Sequence, residues 1–113
     1  MRTIIGDIAL PANCPEFREA VVLIEVRDVS LADAPSLVVV QRRLKGVNIR
    51  SGGFVPFSLG VPEVSETRSL ELRIHISLSN SDQVKHGDLL TTTSIPIPSR
   101  GVPGYMIVPV TLV

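Results

Sequence analysis

Residues 69–78 alternate without a break, apolar Leu70, Leu72, Ile74, Ile76 and Leu78 against polar Ser69, Glu71, Arg73, His75 and Ser77. A period of two points all of these apolar side chains the same way on a β-strand, whereas a helix would scatter them around its circumference. The pattern predicts a strand at the centre of a sheet, dry on one face and wet on the other. Burying each apolar side chain is worth about 1.5–3 kcal/mol at most, while fixing each backbone residue costs about 1–2 kcal/mol. The strand therefore needs a second apolar layer over it.

The rest of the chain supplies that layer as strands. Residues 3–10 read as a first strand, with Gly6 at a bulge and Pro11 as its stop. In residues 20–29, Ala20, Val22, Ile24 and Val26 share one face while Val21 and Leu23 break the polarity of the other, the mark of a strand covered in part on both sides. Residues 28–36 form a shaped connection, one helical turn at most, in which Asp28, Ser30, Asp33 and Pro35 bond back to the backbone or fix a turn. Residues 37–44 are a third strand whose Arg42 and Arg43 fall on opposite faces, so one would point inward and the strand either lies at a sheet edge, where inward charge is a guard, or leaves the sheet near Gln41.

Residues 46–53 read as a loop or hairpin end, and 54–61 as a short strand that Pro56 assigns to an edge. After a surface connection over 62–67 and the central strand comes a turn at Asn80-Ser81-Asp82-Gln83. Residues 89–95 and 105–112 complete the set, the last carrying Pro109 at an edge or bulge. About seven strands between Pro/Gly turns, with no helical period sustained over three turns, predict one all-β domain. It is an antiparallel sandwich of immunoglobulin-like or transthyretin-like kind spanning residues 1–113.

Composition narrows the function classes. Eleven Lys and Arg balance eleven Asp and Glu, so no global field favours nucleic acid or an anionic membrane. Aromatic residues make up 4% of the chain, without Trp, which removes the stacking platforms of single-strand readers and argues against sugar binding. No apolar run approaches the length of a membrane-spanning helix. The lone Cys14 excludes an internal disulfide, and the segment before it is too short and too charged, with Asp7, for a lipid-attachment signal.

Chemistry is thin. His75 and His86 lack neighbours at metal-ligand spacing and are expected to be solvated; no Gly-x-Ser-x-Gly occurs. Asp7, Asp28 and Asp33 would meet only if the first two strands paired, and they lack the density of a calcium loop. No catalytic residue, metal or cofactor is expected. Arg42, Arg43, Lys45 and Arg50 concentrate positive charge and are the candidate contacts for a partner, an acidic peptide or a phosphate surface. Ser51-Gly52-Gly53 serves a turn, since no helix signal follows it.

A family resemblance goes further. Leu10-Pro11, the run Asp28-Val29-Ser30-Leu31-Ala32-Asp33-Ala34-Pro35, Pro56-Phe57-Ser58-Leu59, the alternating strand, Leu90-Thr91-Thr92, Arg100-Gly101 and Val108-Pro109-Val110 together resemble the bacterial YbaY/YscW-like family, which includes lipoprotein chaperones, or pilots, of type III secretion secretins. The resemblance implies a non-catalytic, protein-binding β-sandwich of the envelope whose partner is a secretin subunit segment. Asp28, Ser30 and Asp33 match the specific motif and are expected to shape its loop. The chain departs from the family in lacking an export signal and lipidation cysteine. It is expected in the periplasm or at the outer membrane if such a signal has been removed, and in the cytoplasm otherwise. The alternative is a sandwich that binds a small ligand or carbohydrate.

Overall fold

The computed structural model describes residues 1–31, 33–81 and 83–113, so Ala32 of the family-like run and Asp82 of the predicted turn lie outside the described residues. Among the described residues nine strands follow one another: β1 (Arg2–Ala9), β2 (Phe17–Asp28), β3 (Leu37–Ile49), β4 (Phe54–Val61), β5 (Leu70–Ser77), β6 (Leu89–Leu90), β7 (Pro96–Ile97), β8 (Met106–Pro109) and β9 (Thr111–Leu112). Among the described residues there is no helix. A small sheet of order β4-β1-β8 faces a large one of order β3-β2-β5-β6-β9, with β7 also on β5. The alternating strand is indeed central. Ile24, Leu72, Ile74 and Ile76 of the large sheet meet Ile4, Ile8, Val61 and Val108 of the small one in a dry core.

Every pairing is antiparallel except β1 with β8, which run parallel. β1 pairs with β4 in unbroken register, so Gly6 is no bulge. Its role is close approach: a Cβ at this position would stand 2.2 Å from the carbonyl oxygen of Met106, where β8 begins.

The predicted third strand runs on to Ile49 because bulges absorb its irregularities. Val22 faces Leu44 and Ala20 faces Val47, so Lys45 and Gly46 together oppose Val21. Gly46, at φ 66°, supplies the left-handed backbone such a bulge requires. Farther from the β2–β3 turn, at the open end of the pair, a second bulge falls on β2, where Glu19 takes φ 63°. β3 is an edge strand. Arg42 pairs with buried Ile24, so it points to the core side, and its guanidinium crosses to the other sheet to donate to the Ser58 carbonyl and hydroxyl.

Of the predicted strand 89–95 only Leu89–Leu90 forms, as β6, while β7 at Pro96–Ile97 lies just beyond it, and the predicted strand 105–112 divides into β8 and β9. β6 and β7 take opposite ends of the same edge of β5, with the threonine stretch between them bonded irregularly, as where the Thr91 N–H donates to the Ile74 carbonyl. Pro109 ends β8, the Val110 N–H donates to the Ala9 carbonyl, and β9 then joins β6 in the large sheet.

Arg2, at the start of β1, is buried. Its Nη1 donates to the Gly101 carbonyl at 2.7 Å, while Nε and Nη2 have no partner. A buried guanidinium with unmet donors costs more than an apolar side chain of similar shape. Arg2→Met is therefore expected to be no less stable than the wild type in urea unfolding; a loss of over about 1 kcal/mol would contradict this.

Candidate functional site

The four predicted cations do not form one patch. Arg42 is on the core side of β3, tied to Ser58, and Arg43 is on the outer side, beside Glu25, Arg73 and His75 in a groove of about 340 Å³. Lys45 is exposed at the bulge. Arg50 stands at the end of β3, in a second groove of about 360 Å³ formed with Arg18, Phe17, Ile49 and Phe54. The charge is strung along one flank of the sandwich.

Asp28 and Ser30 bond to each other and to the chain before β5. The Asp28 carboxylate accepts from the Ser30 N–H at 2.9 Å and from Arg68 at 2.6 Å, while Ser30 Oγ accepts from the Ser69 N–H. The Ser30 bonds, side chain then backbone, and the Arg68 charge hold the Asp28 carboxyl below the usual carboxylate range. The loop is thereby stitched to the start of β5. Asp33 is exposed on the turn that Ala34 N–H closes on the Leu31 carbonyl. Asp7 is in the other sheet from β2, so the imagined trio of Asp7, Asp28 and Asp33 does not assemble. Among the described residues no group of three or more His, Cys, Asp or Glu could hold a metal ion.

The expectation of a solvated His75 is overturned. The ring is 5% exposed, with Nε2 2.8 Å from a carboxylate oxygen of Asp88, itself 2% exposed. The connection after β5, through Leu78, Val84 and Asp88, folds back over the outer face of the strand and buries Ser77 as well. His86 is exposed, as expected. Cys14 is buried, and burial pushes its thiol pKa up.

Sequence reasoning missed a surface assembled from three distant segments. Ile4 and Ile8 of β1 point inward, so Ile5, Asp7 and Ala9 point out. Register sets Asp7 between Pro56 of β4 and Ile107 of β8, and Ala9 between Phe54 and Pro109. Ile5 is 46% exposed, Ile107 56% and Phe54 62%. The outer face of the small sheet is thus apolar over Ile5, Phe54 and Ile107, with half-buried Asp7 among them and polar Thr3 and Ser58 toward one end. The Tyr105 hydroxyl, just before β8, donates to the Asp7 carboxylate; that bond, then partial burial and the carboxylate's charge, raise the phenol's pKa. The sequence signal was Ile5, an apolar residue on the outward parity of the first strand.

No family model matches the chain, and no curated protein matches it. Among solved structures it is similar to an alternative pilotin from the type II secretion system of Vibrio cholerae. The TM-score is 0.65 at 18% identity, covering 97% of this chain and 96% of that one. At that identity the likeness is one of fold.

Proposed function

We propose that this domain is a non-catalytic protein-binding module of the bacterial envelope, a pilotin-like escort that holds a segment of a secretin subunit. The observation that carries this reading is the likeness to a pilotin over almost the full length of both chains. The YbaY/YscW-like resemblance of the Asp28 to Pro35 run supports the same class, and a type III secretin is the finer form of the proposal. Residence in the periplasm or at the outer membrane belongs to it too. Among the described residues no helix is long and apolar enough to cross a membrane.

Arg42, Arg43, Lys45 and Arg50 remain the proposed contacts for an acidic stretch of that partner. They line the open edge of β3, so the stretch would add as a strand along the edge. Groups spread over both faces of an edge suit a segment running beside it.

The test is co-expression with the secretin of the same genome. The secretin is expected to co-purify with the domain and to reach the outer-membrane fraction as a multimer only when the domain is present. Equal multimer yield and location without the domain, and no co-purification, would overturn the proposal. The small-ligand alternative rests on the groove between Phe17 and Phe54. A thermal shift of several degrees with a sugar or a small carboxylate would favour it.

A further inference from the structure

Arg2 is the charged residue on the inward face of β1. It has the parity of Ile4 and Ile8, lies opposite fully buried Val61 of β4, and is itself 6% exposed. Its Nη1 donates to the Gly101 carbonyl, a neutral acceptor, and among the described residues no carboxylate pairs with it. A guanidinium keeps its proton in proteins, so burial cannot neutralise it as it would a lysine or a carboxyl. The charge has to be met by an anion, because an uncompensated buried ion is costly.

We propose that Arg2 is the anchor of a binding site for one small carboxylate, of formate or acetate size, held at the end of the core beneath residues 99–101. The site is separate from the protein-binding reading, since none of its groups belongs to the β3 edge.

The geometry of the free donors selects that ligand. The two nitrogens without a protein acceptor are Nε and Nη2. They share one edge of the planar group and direct parallel N–H bonds outward, the fork that takes both oxygens of a carboxylate at once. Water would meet those N–H groups and leave the charge unbalanced, and a halide is a sphere with no pair of acceptors to offer. Among the described residues Arg2 is the only buried Lys or Arg, so a dianion such as sulfate would carry in a charge that nothing meets. Ile4 and Val61, both 0% exposed, flank Arg2 on its own strand and the next, which keeps the ligand small. Entry is through the cover. Residues 99–101 are tied down by the Val64 N–H on the Ser99 carbonyl at 3.0 Å and by Arg2 itself on Gly101 at 2.7 Å, and Val102 beyond them is exposed. A segment so lightly held opens locally well below the cost of global unfolding. Once seated, the carboxylate gives the guanidinium a partner on each edge and fastens that segment to β1.

The probe is sodium formate, exchanged against sodium chloride at constant ionic strength, on the whole chain after exhaustive dialysis into chloride. The thermal midpoint is expected to rise by about 5 °C between zero and about 100 mM formate, and the Arg2 Nε–H resonance to move downfield as the carboxylate accepts from it. Arg2→Met, no less stable than the wild type in chloride, should show no response, so formate shifts the balance of stability toward the wild type. Arg2→Lys, which keeps the charge and loses the fork, should respond at least about fivefold more weakly. Where a variant does not fold, the Nε–H resonance of the wild type reports the site by itself. A midpoint unchanged by formate, or an unmoved Nε–H, would overturn the proposal and give the fork to water. An equal rise with sulfate, or a rise that Arg2→Met retains, would overturn it as well, leaving an adventitious ion only.

Discussion

Gly6→Ala is expected to lower stability by about 3 kcal/mol, at the upper end of what an added methyl costs in a packed site. The reason is the kind of atom the methyl meets. At 2.2 Å it would overlap the Met106 carbonyl oxygen, part of the backbone, and no rotamer change can move that away. β8 must lift from β1, weakening the parallel pairing of Gly6 to Ala9 with Met106 to Pro109 and the Val110 to Ala9 bond beyond it. For a chain of this size the midpoint should fall by about 10 °C. Amide exchange should accelerate at Val108 and Val110 while Val22, Ile24 and Ile74 stay protected. Gly60→Ala is the control in the same sheet, since its Cβ would meet only the flexible Met1 side chain at 3.0 Å, and it should cost under about 1 kcal/mol. Equal losses for the two variants would refute the close-approach account. Because β8 carries Ile107 and Pro109, Gly6→Ala should also dismantle the apolar outer face.

What could be read from the sequence divides by range. The alternation of residues 70–77 needed only its own period, and β4 occupies the predicted residues 54–61. The inward turn of an arginine on β3 followed from parity alone, and Arg42 takes it. Parity fails where bulges intervene, so the Lys45-Gly46 bulge made the end of β3 read as a loop. It also fails where the chain leaves a sheet midway: residues 105–112 look like one strand, yet Pro109 and Val110 pass it from the small sheet to the large.

The buried state of His75 was illegible for a different reason. Its cover comes from the connection after β5, and no local pattern says that a polar loop will fold back on the wet face of a strand. The outer face of the small sheet was hidden likewise, because β1, β4 and β8 each contribute one or two exposed apolar residues that look unremarkable alone. The cations showed the converse. Neighbours in sequence looked like a patch, and the strand set Arg42 and Arg43 on opposite sides.

Asp88→Ala is expected to cost about 3 kcal/mol, in the range for breaking a buried charged partnership. The carboxylate accepts from the His75 ring at 2.8 Å, the Lys85 N–H at 3.0 Å and the Leu78 N–H at 3.2 Å, so alanine leaves several donors without an acceptor where water enters poorly. The roof over the outer face of β5 should open, and exchange at Leu78 and Lys85 should rise. The same site makes stability depend on pH. Burial disfavours the charged carboxylate, but the His75 bond and the Lys85 and Leu78 N–H groups outweigh it, and the Asp88 pKa lies below its ordinary value of 3.8. A carboxyl with a lower pKa in the folded state binds fewer protons there than in the unfolded chain. Its contribution is therefore complete above the unfolded pKa, about 3.9, and disappears as pH falls through the folded one. In urea unfolding the gap between wild type and Asp88→Asn, which keeps the shape and loses the charge, should stay constant from pH 7 to about 5 and close on further acidification. A gap unchanged at pH 2 would mean that the carboxylate's charge does not hold the roof over β5.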